Sequence, residues 1–297
     1  MLQNLLETSL RQTMNRMVRP LLHPAVPVSL QRTFTAQAYR SSVPPRGCKF
    51  DTVTIGGIKG TRTRHGAATE GVVLYLHGGG YIIGSSSTHR GITGHLAKAS
   101  GHTIIAPDYR LAPEHPFPAA LDDAESAYEG LLKEGHAPAS IGIAGDSAGG
   151  GLAIALAMRL RDKGRPLPAS LTVFSPWVDL THQHLYSPER EPVLQPRWIE
   201  KAAGLYAGKE PRTNPLMSPI HGDLSGLPPL LIQVGSEEIL LNDAQRLSEQ
   251  FNQQGSDATL EIYNSLWHVF HVHAGQLSRA TDALAEAAAH INRHRAK

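Results

Sequence analysis

The stretch Ile141-Gly142-Ile143-Ala144-Gly145-Asp146-Ser147-Ala148-Gly149-Gly150-Gly151-Leu152 decides how the rest of the chain is read. Residues 141–144 read as a short buried strand, the glycines punctuate a turn, and the small apolar residues of 150–160 read as a closely packed helix. Gly145-Asp146-Ser147-Ala148-Gly149 fits the Gly-x-Ser-x-Gly pattern in this context. A serine at a sharp strand-to-helix turn is forced outward, and flanking glycines leave room for the tight backbone. A Gly-rich turn that merely starts a helix accounts for most isolated matches. Here the strand before it and the helix after it select Ser147 as a nucleophile.

Outward from this turn the same alternation continues. Short apolar runs at 72–76, 103–106, 171–174 and 230–234 read as buried parallel strands. Helices are expected near 88–100, 118–134, 147–163 and 242–254. Residues 50–55 and 59–64 read as an opening antiparallel pair around Gly56-Gly57, and 258–263 as the last strand. The expected fold is therefore α/β, a mostly parallel sheet of eight strands with helices on both faces. Two segments fall outside the rhythm. Leu2, Leu5, Leu6, Leu10, Met14, Met17 and Val18 recur at helical spacing and form an apolar stripe that needs a cover. Residues 181–227 are rich in Pro, carry Tyr186, Trp198 and Tyr206, and hold one helix near 197–207. The reading is one domain over 1–297, with a helical cap built from about 1–45 and 181–227.

A serine hydroxyl needs a base, and an acyl-transfer intermediate needs donors for its oxyanion. His77-Gly78-Gly79-Gly80 directly follows the 72–76 strand. Three glycines allow backbone N–H groups to face a substrate oxygen, so Gly78 and Gly79, with the N–H of Ala148, are expected to form the oxyanion hole. A phosphate loop competes, but the Lys and Ser/Thr of that motif are missing. His77 is expected to be a structural hydrogen-bonding residue. In this architecture the chain order is serine, acid, histidine. His268 stands after the last strand and is the expected base, while His271 and His273 are expected inside a helix and exposed. No His-Glu-x-x-His or Cys pair accompanies them, so no metal is expected.

The acid should follow the 230–234 strand, where the chain reads Gly235-Ser236-Glu237-Glu238-Ile239-Leu240-Leu241-Asn242-Asp243. Asp243 falls in the next helix and Glu237 lies nearer the strand end, which leaves Glu238 at the loop position. A carboxylate there would orient the imidazole and stabilise its cation.

Together these residues resemble the hormone-sensitive lipase-like family of α/β-hydrolases, the bacterial family IV esterases. The resemblance runs from about residue 50 to the C-terminus. It rests on His77-Gly78-Gly79-Gly80, on Asp108-Tyr109-Arg110-Leu111-Ala112-Pro113-Glu114 with His115-Pro116-Phe117-Pro118-Ala119-Ala120, and on Gly145-Asp146-Ser147-Ala148-Gly149-Gly150. It implies a carboxylesterase acting on short acyl chains, a cap of N-terminal helices and a later insertion, and no cofactor. The family usually shows Asp-Pro-Leu at the acid, whereas this chain has Glu238-Ile239-Leu240, with Glu238 in the acid's place. The same triad serves lactonases, amidases and peptidases, and the fold also serves non-catalytic ligand receptors. A receptor would be expected to lose a triad member, and none is lost. Tyr81, Trp177, Tyr206 and the N-terminal stripe are candidates for shaping the pockets.

Composition is consistent with this reading. The 41% apolar and 18% charged residues suit a globular core, and 28 basic against 26 acidic residues give no nucleic-acid-binding surface. Cys48 is the only cysteine, the N-terminal apolar residues are too interrupted for an export signal, and no run of roughly 20 apolar residues occurs. The expected setting is cytoplasmic with no membrane span. The expected partner is a small-molecule ester, and a homodimer is compatible with the sequence.

Overall fold

A computed structural model describes residues 2–38, 42–67, 71–187 and 190–295. The expected cap therefore includes residues 1, 39–41 and 188–189 that lie outside the described residues. The strands are β1 (Cys48–Ile55), β2 (Ile58–His65), β3 (Val72–Leu76), β4 (Thr103–Pro107), β5 (Ile141–Asp146), β6 (Ser170–Phe174), β7 (Leu230–Gly235) and β8 (Ala258–Tyr263). The helices are α1 (Leu2–Thr13), α2 (Val28–Ala38), α3 (Arg90–Ser100), α4 (Ala119–Lys133), α5 (Ala148–Asp162), α6 (Pro196–Ala207), α7 (Leu241–Gln253) and α8 (Ser278–His294).

The strands form one eight-stranded sheet in the order β1-β2-β4-β3-β5-β6-β7-β8. β1 and β2 are antiparallel to their neighbours, and every pairing from β4 to β8 is parallel. The central strands β3, β5, β6 and β7 are buried along their whole length, which is why they read as near-continuous apolar runs. The chain moves one way along the sheet from β3 to β4 and the other way from β5 to β8. Right-handed crossovers then place the connecting helices on opposite faces. α3 packs with α8 on one face, and α4 packs with α5 on the other.

This topology gathers the ends of β3, β5, β6, β7 and β8 at one edge, where the loops that follow parallel strands form a crevice. The register Leu76↔Gly145 brings the start of the glycine loop beside the serine turn. Over this edge lie the N-terminal helices and the segment between β6 and β7. α1 continues into a wider π turn at Met14–Val18. The stripe divides there: Leu10, Met14 and Val18 pack against the core, while Leu5 and Met17 are exposed. Arg32 of α2 forks onto Glu114 at 2.9 and 2.7 Å and also donates to the carbonyl oxygens of Ile82 and Ala112. Among the described residues, no helix is long and apolar enough to cross a membrane.

Candidate active site

Ser147 joins β5 to α5 with φ 51° and ψ −121°, a region that L-residues avoid. The surrounding backbone holds it there: its N–H donates to Phe174 O at 2.8 Å, and its C=O accepts from Trp177 N at 2.9 Å. Close packing completes the turn, because a Cβ at Gly149 would stand 2.0 Å from Leu76 O.

His268 follows β8 in the turn before α8. Its Nε2 lies 3.0 Å from Ser147 Oγ, and its Nδ1 lies 2.8 Å from Glu238 Oε2. Glu238 stands on the loop after β7 and is wholly buried. Its other oxygen, Oε1, accepts from Gly235 N at 2.6 Å and from Ser175 Oγ at 2.9 Å. Ser147, His268 and Glu238, singled out from the sequence, are thus brought into one hydrogen-bonded line. Burial alone would lower the His268 pKa, but the bond to Glu238 and its charge outweigh that, so the net shift is upward.

The two other acid candidates stand apart. Asp243 lies within α7, and its Oδ2 accepts the N–H groups of Val178 and Asp179, both at 3.1 Å. It fastens the chain after β6, and burial pushes its pKa up to about 7. Glu237 is half-buried, and its own N–H donates to Leu266 O.

The glycine loop corrects one expectation. The N–H of Gly78 is not free, because it donates to Asp146 Oδ1 at 3.0 Å. A Cβ on Gly78 would meet Asp146 Oδ2 at 2.1 Å, so this glycine is required by the close approach of that carboxylate. Asp146 also accepts from Tyr75 Oη at 2.7 Å and pairs with His89 at 3.3 Å. Gly79 and Gly80 line the pocket beside Ser147. Among the described residues, their N–H groups meet no protein acceptor. His77 is stacked on Tyr109 with ring centroids 4.2 Å apart, and its Nδ1 lies 2.8 Å from Gly78 O. Burial brings its pKa down to about 4, as suits a neutral structural ring.

His271 and His273 depart from the expectation of exposure. Phe270–His273 forms a short 3-10 turn and α8 starts only at Ser278, so both rings point inward. His271 Nε2 lies 3.1 Å from Gln233 Oε1, and burial takes the pKa values of His271 and His273 down to about 3 and about 4.

The pocket above Ser147 is walled by Met14, Val18 and Leu22 from the N-terminal segment, and by Val193, Leu194 and Trp198 from the segment before β7. Tyr81, Trp177 and Tyr206 do not line it. They are fully buried core residues, with Tyr81 stacked on Tyr206 at 3.7 Å.

Sequence reasoning missed Ser175. It follows β6, sits at φ 47°, donates to Glu238 and accepts from Val269 N at 3.0 Å. It therefore braces the acid loop against the histidine loop. Its sequence signal was slight, a single hydroxyl at the end of a buried strand.

A reachable serine on a strained strand-to-helix turn, lined up with a histidine and a buried carboxylate at the C-terminal edge of a parallel sheet, defines a serine hydrolase. The family described as alpha/beta hydrolase fold matches residues 73–272, and the chain belongs to that family. An acetyl-hydrolase of Streptomyces hygroscopicus is 45% identical over 233 residues, covering 77% of this chain and 76% of its own. An esterase of Acinetobacter venetianus is 34% identical over 240 residues, covering 80% and 79%. Among solved structures, an esterase from the bacterial hormone-sensitive lipase family superimposes with a TM-score of 0.90 at 34% identity, over 99% of this chain and 98% of the other. A hormone-sensitive lipase from a metagenome library does so with a TM-score of 0.92 at 36% identity, over 99% and 98%. The resemblance read from the motifs therefore stands, and the protein is a carboxylesterase.

Proposed function

We propose that this esterase cleaves short-chain acyl esters through Ser147, His268 and Glu238 by way of an acyl-enzyme. The unbroken line from Ser147 Oγ through His268 to Glu238, at 3.0 and 2.8 Å, is the observation that carries this reading. His268 takes the serine proton as Oγ attacks the ester carbonyl. It then gives that proton to the departing alcohol as the tetrahedral intermediate collapses. Water, deprotonated by the same nitrogen, attacks the acyl-enzyme and releases the acid and free Ser147. Glu238 holds the imidazole in the tautomer that leaves Nε2 able to accept, and it stabilises the imidazolium. The oxyanion falls to the N–H groups of Gly79, Gly80 and Ala148, since that of Gly78 is engaged by Asp146.

The N-terminal helices and the 181–227 segment act as the cap. Large side chains from both, Met14, Leu22 and Trp198 among them, favour a short acyl group, and a relative named acetyl-hydrolase supports the same preference. The test is a panel of p-nitrophenyl esters, an amide and a lactone, assayed with the wild type and Ser147→Ala. Ester kcat should fall by about 10⁴-fold or more in the variant. Near-wild-type activity in a folded Ser147→Ala would reject the mechanism, and a preferred amide or lactone would reject the substrate class.

A further inference from the structure

An ionisable group outside the serine, histidine and acid line is buried behind residues that wall the same pocket and has no part in the steps above. Glu191 lies between β6 and α6 and is 4% exposed. Its Oε1 accepts the N–H groups of Val193 at 2.7 Å and Leu194 at 3.1 Å. Its Oε2 accepts the N–H of Ile239 at 3.2 Å, and its backbone oxygen accepts from the Arg19 guanidinium. Val193 and Leu194 wall the pocket, Ile239 directly follows Glu238, and Arg19 ends the π turn of the N-terminal segment. One residue, through its carboxylate and its backbone oxygen, thus fastens three parts of the site together.

Three N–H donors with no acceptor among them suit an anion, because a protonated carboxyl would have no partner for its own hydrogen. A buried anion is costly without further compensation. Among the charges around it, Glu238 repels it, His268 and Arg11 attract it, and the Arg19 guanidinium sits on its backbone oxygen. His268 also feels Glu238 and Asp146. Of the attracting groups, His268 is the one that changes charge during turnover. We propose that Glu191 is a positioning residue of this esterase, whose charge favours the His268 imidazolium and whose N–H bonds lock the Val193 and Leu194 wall to the Glu238 loop. This rests on the triad proposed above. Burial, with Glu238 adding to it, brings Glu191 up to about 7, while His268 pulls it down. The charge of Glu191 in turn raises His268, so the ionisation of each biases the other.

The test is the pH profile of kcat/KM for the wild type, Glu191→Gln and Glu191→Asp. Glu191→Gln removes the charge and keeps an acceptor oxygen. Its acidic limb should move to lower pH by about half a unit, ~3-fold in the apparent ionisation constant. Its kcat should fall by more than its KM rises, because the imidazolium forms only along the reaction path. Glu191→Asp keeps the charge and should leave the limb in place while lowering kcat. A folded Glu191→Gln with an unmoved limb overturns the inference. If that variant does not fold, a nitrogen NMR titration of the His268 ring in the wild type decides: coupled ionisation with a second group supports the proposal, and one ideal inflection overturns it. Ser147→Ala and Glu238→Gln run alongside. Activity retained there would sink the triad itself, whereas their inactivity with an unmoved limb sinks only the role of Glu191.

Discussion

The acid position yields the sharpest prediction. Glu238 receives three donors, from Gly235 N–H, the Ser175 hydroxyl and His268 Nδ1–H, and has no contact with solvent. Glu238→Gln fills the same volume but replaces one oxygen by an NH₂ group. The amide oxygen can stay with Gly235 and Ser175, which leaves the NH₂ facing Nδ1–H, donor against donor. The ring relieves this by moving its proton to Nε2, where it can no longer accept from Ser147. The expected loss in kcat is roughly 10³- to 10⁴-fold, or about 4 to 5.5 kcal/mol of transition-state stabilisation. Glu238→Asp keeps the charge but shortens the reach by about 1.5 Å, one carbon–carbon bond. It cannot span both Gly235 and His268 from the same Cα, and a loss of about 10- to 100-fold is expected, between those of wild type and Gln. Glu237→Gln and Asp243→Asn should change kcat little, since neither carboxylate reaches His268. Steady-state kinetics on p-nitrophenyl butyrate, with circular dichroism to verify folding, would measure all four variants. A damaging Asp243→Asn beside a harmless Glu238→Gln would refute the reasoning.

Two further outcomes follow from the same geometry. Each methylene that finds room in the pocket should raise kcat/KM by about 4-fold (~0.8 kcal/mol), so specificity across acetate to palmitate esters should peak near four to six carbons. Trp198→Ala should move that peak to longer chains, and a wild-type maximum at twelve carbons or beyond contradicts the short-chain reading. For pH, the folded-state pKa of His268 is raised above its ordinary 6.5, and a protonated ring cannot act as the base. The kcat/KM should therefore fall on the acidic side with an inflection above 6.5, and an inflection below that value contradicts a base paired with Glu238.

Much of this was legible because the determining signals are local. Buried parallel strands show as apolar runs, so 72–76 and 258–263 coincide with β3 and β8, and the remaining strands differ only at their ends. Ser147 and His268 could be picked out because each stands just past a strand. Features that depend on how distant segments meet were not legible. The Gly78 N–H is taken up by the Asp146 carboxylate, which the pairing of β3 with β5 brings beside it. His271 and His273 face inward because a 3-10 turn, rather than a helix, follows His268. Ser175 and Glu191 carry no motif; each is defined by the loops it joins.

The pocket walls make the same point in energetic terms. The N-terminal stripe has helical spacing throughout, but its use changes where the helix widens at Met14–Val18. Met14 and Val18 turn to the pocket, while Met17, between them in sequence, is left exposed. On the opposite wall, Val193 and Leu194 have their N–H groups tied to Glu191, which also holds the N–H of Ile239. A substrate that presses on Val193 or Leu194 therefore works against hydrogen bonds to a charged group, each typically worth about 1.5 to 3 kcal/mol. The same bonds fix the backbone next to Glu238. An ester too bulky for the pocket must then either be rejected or disturb the loop that orients His268. On this reading, acyl-chain selection appears as a fall in kcat for long esters as well as a rise in KM. A passive apolar wall would change KM alone.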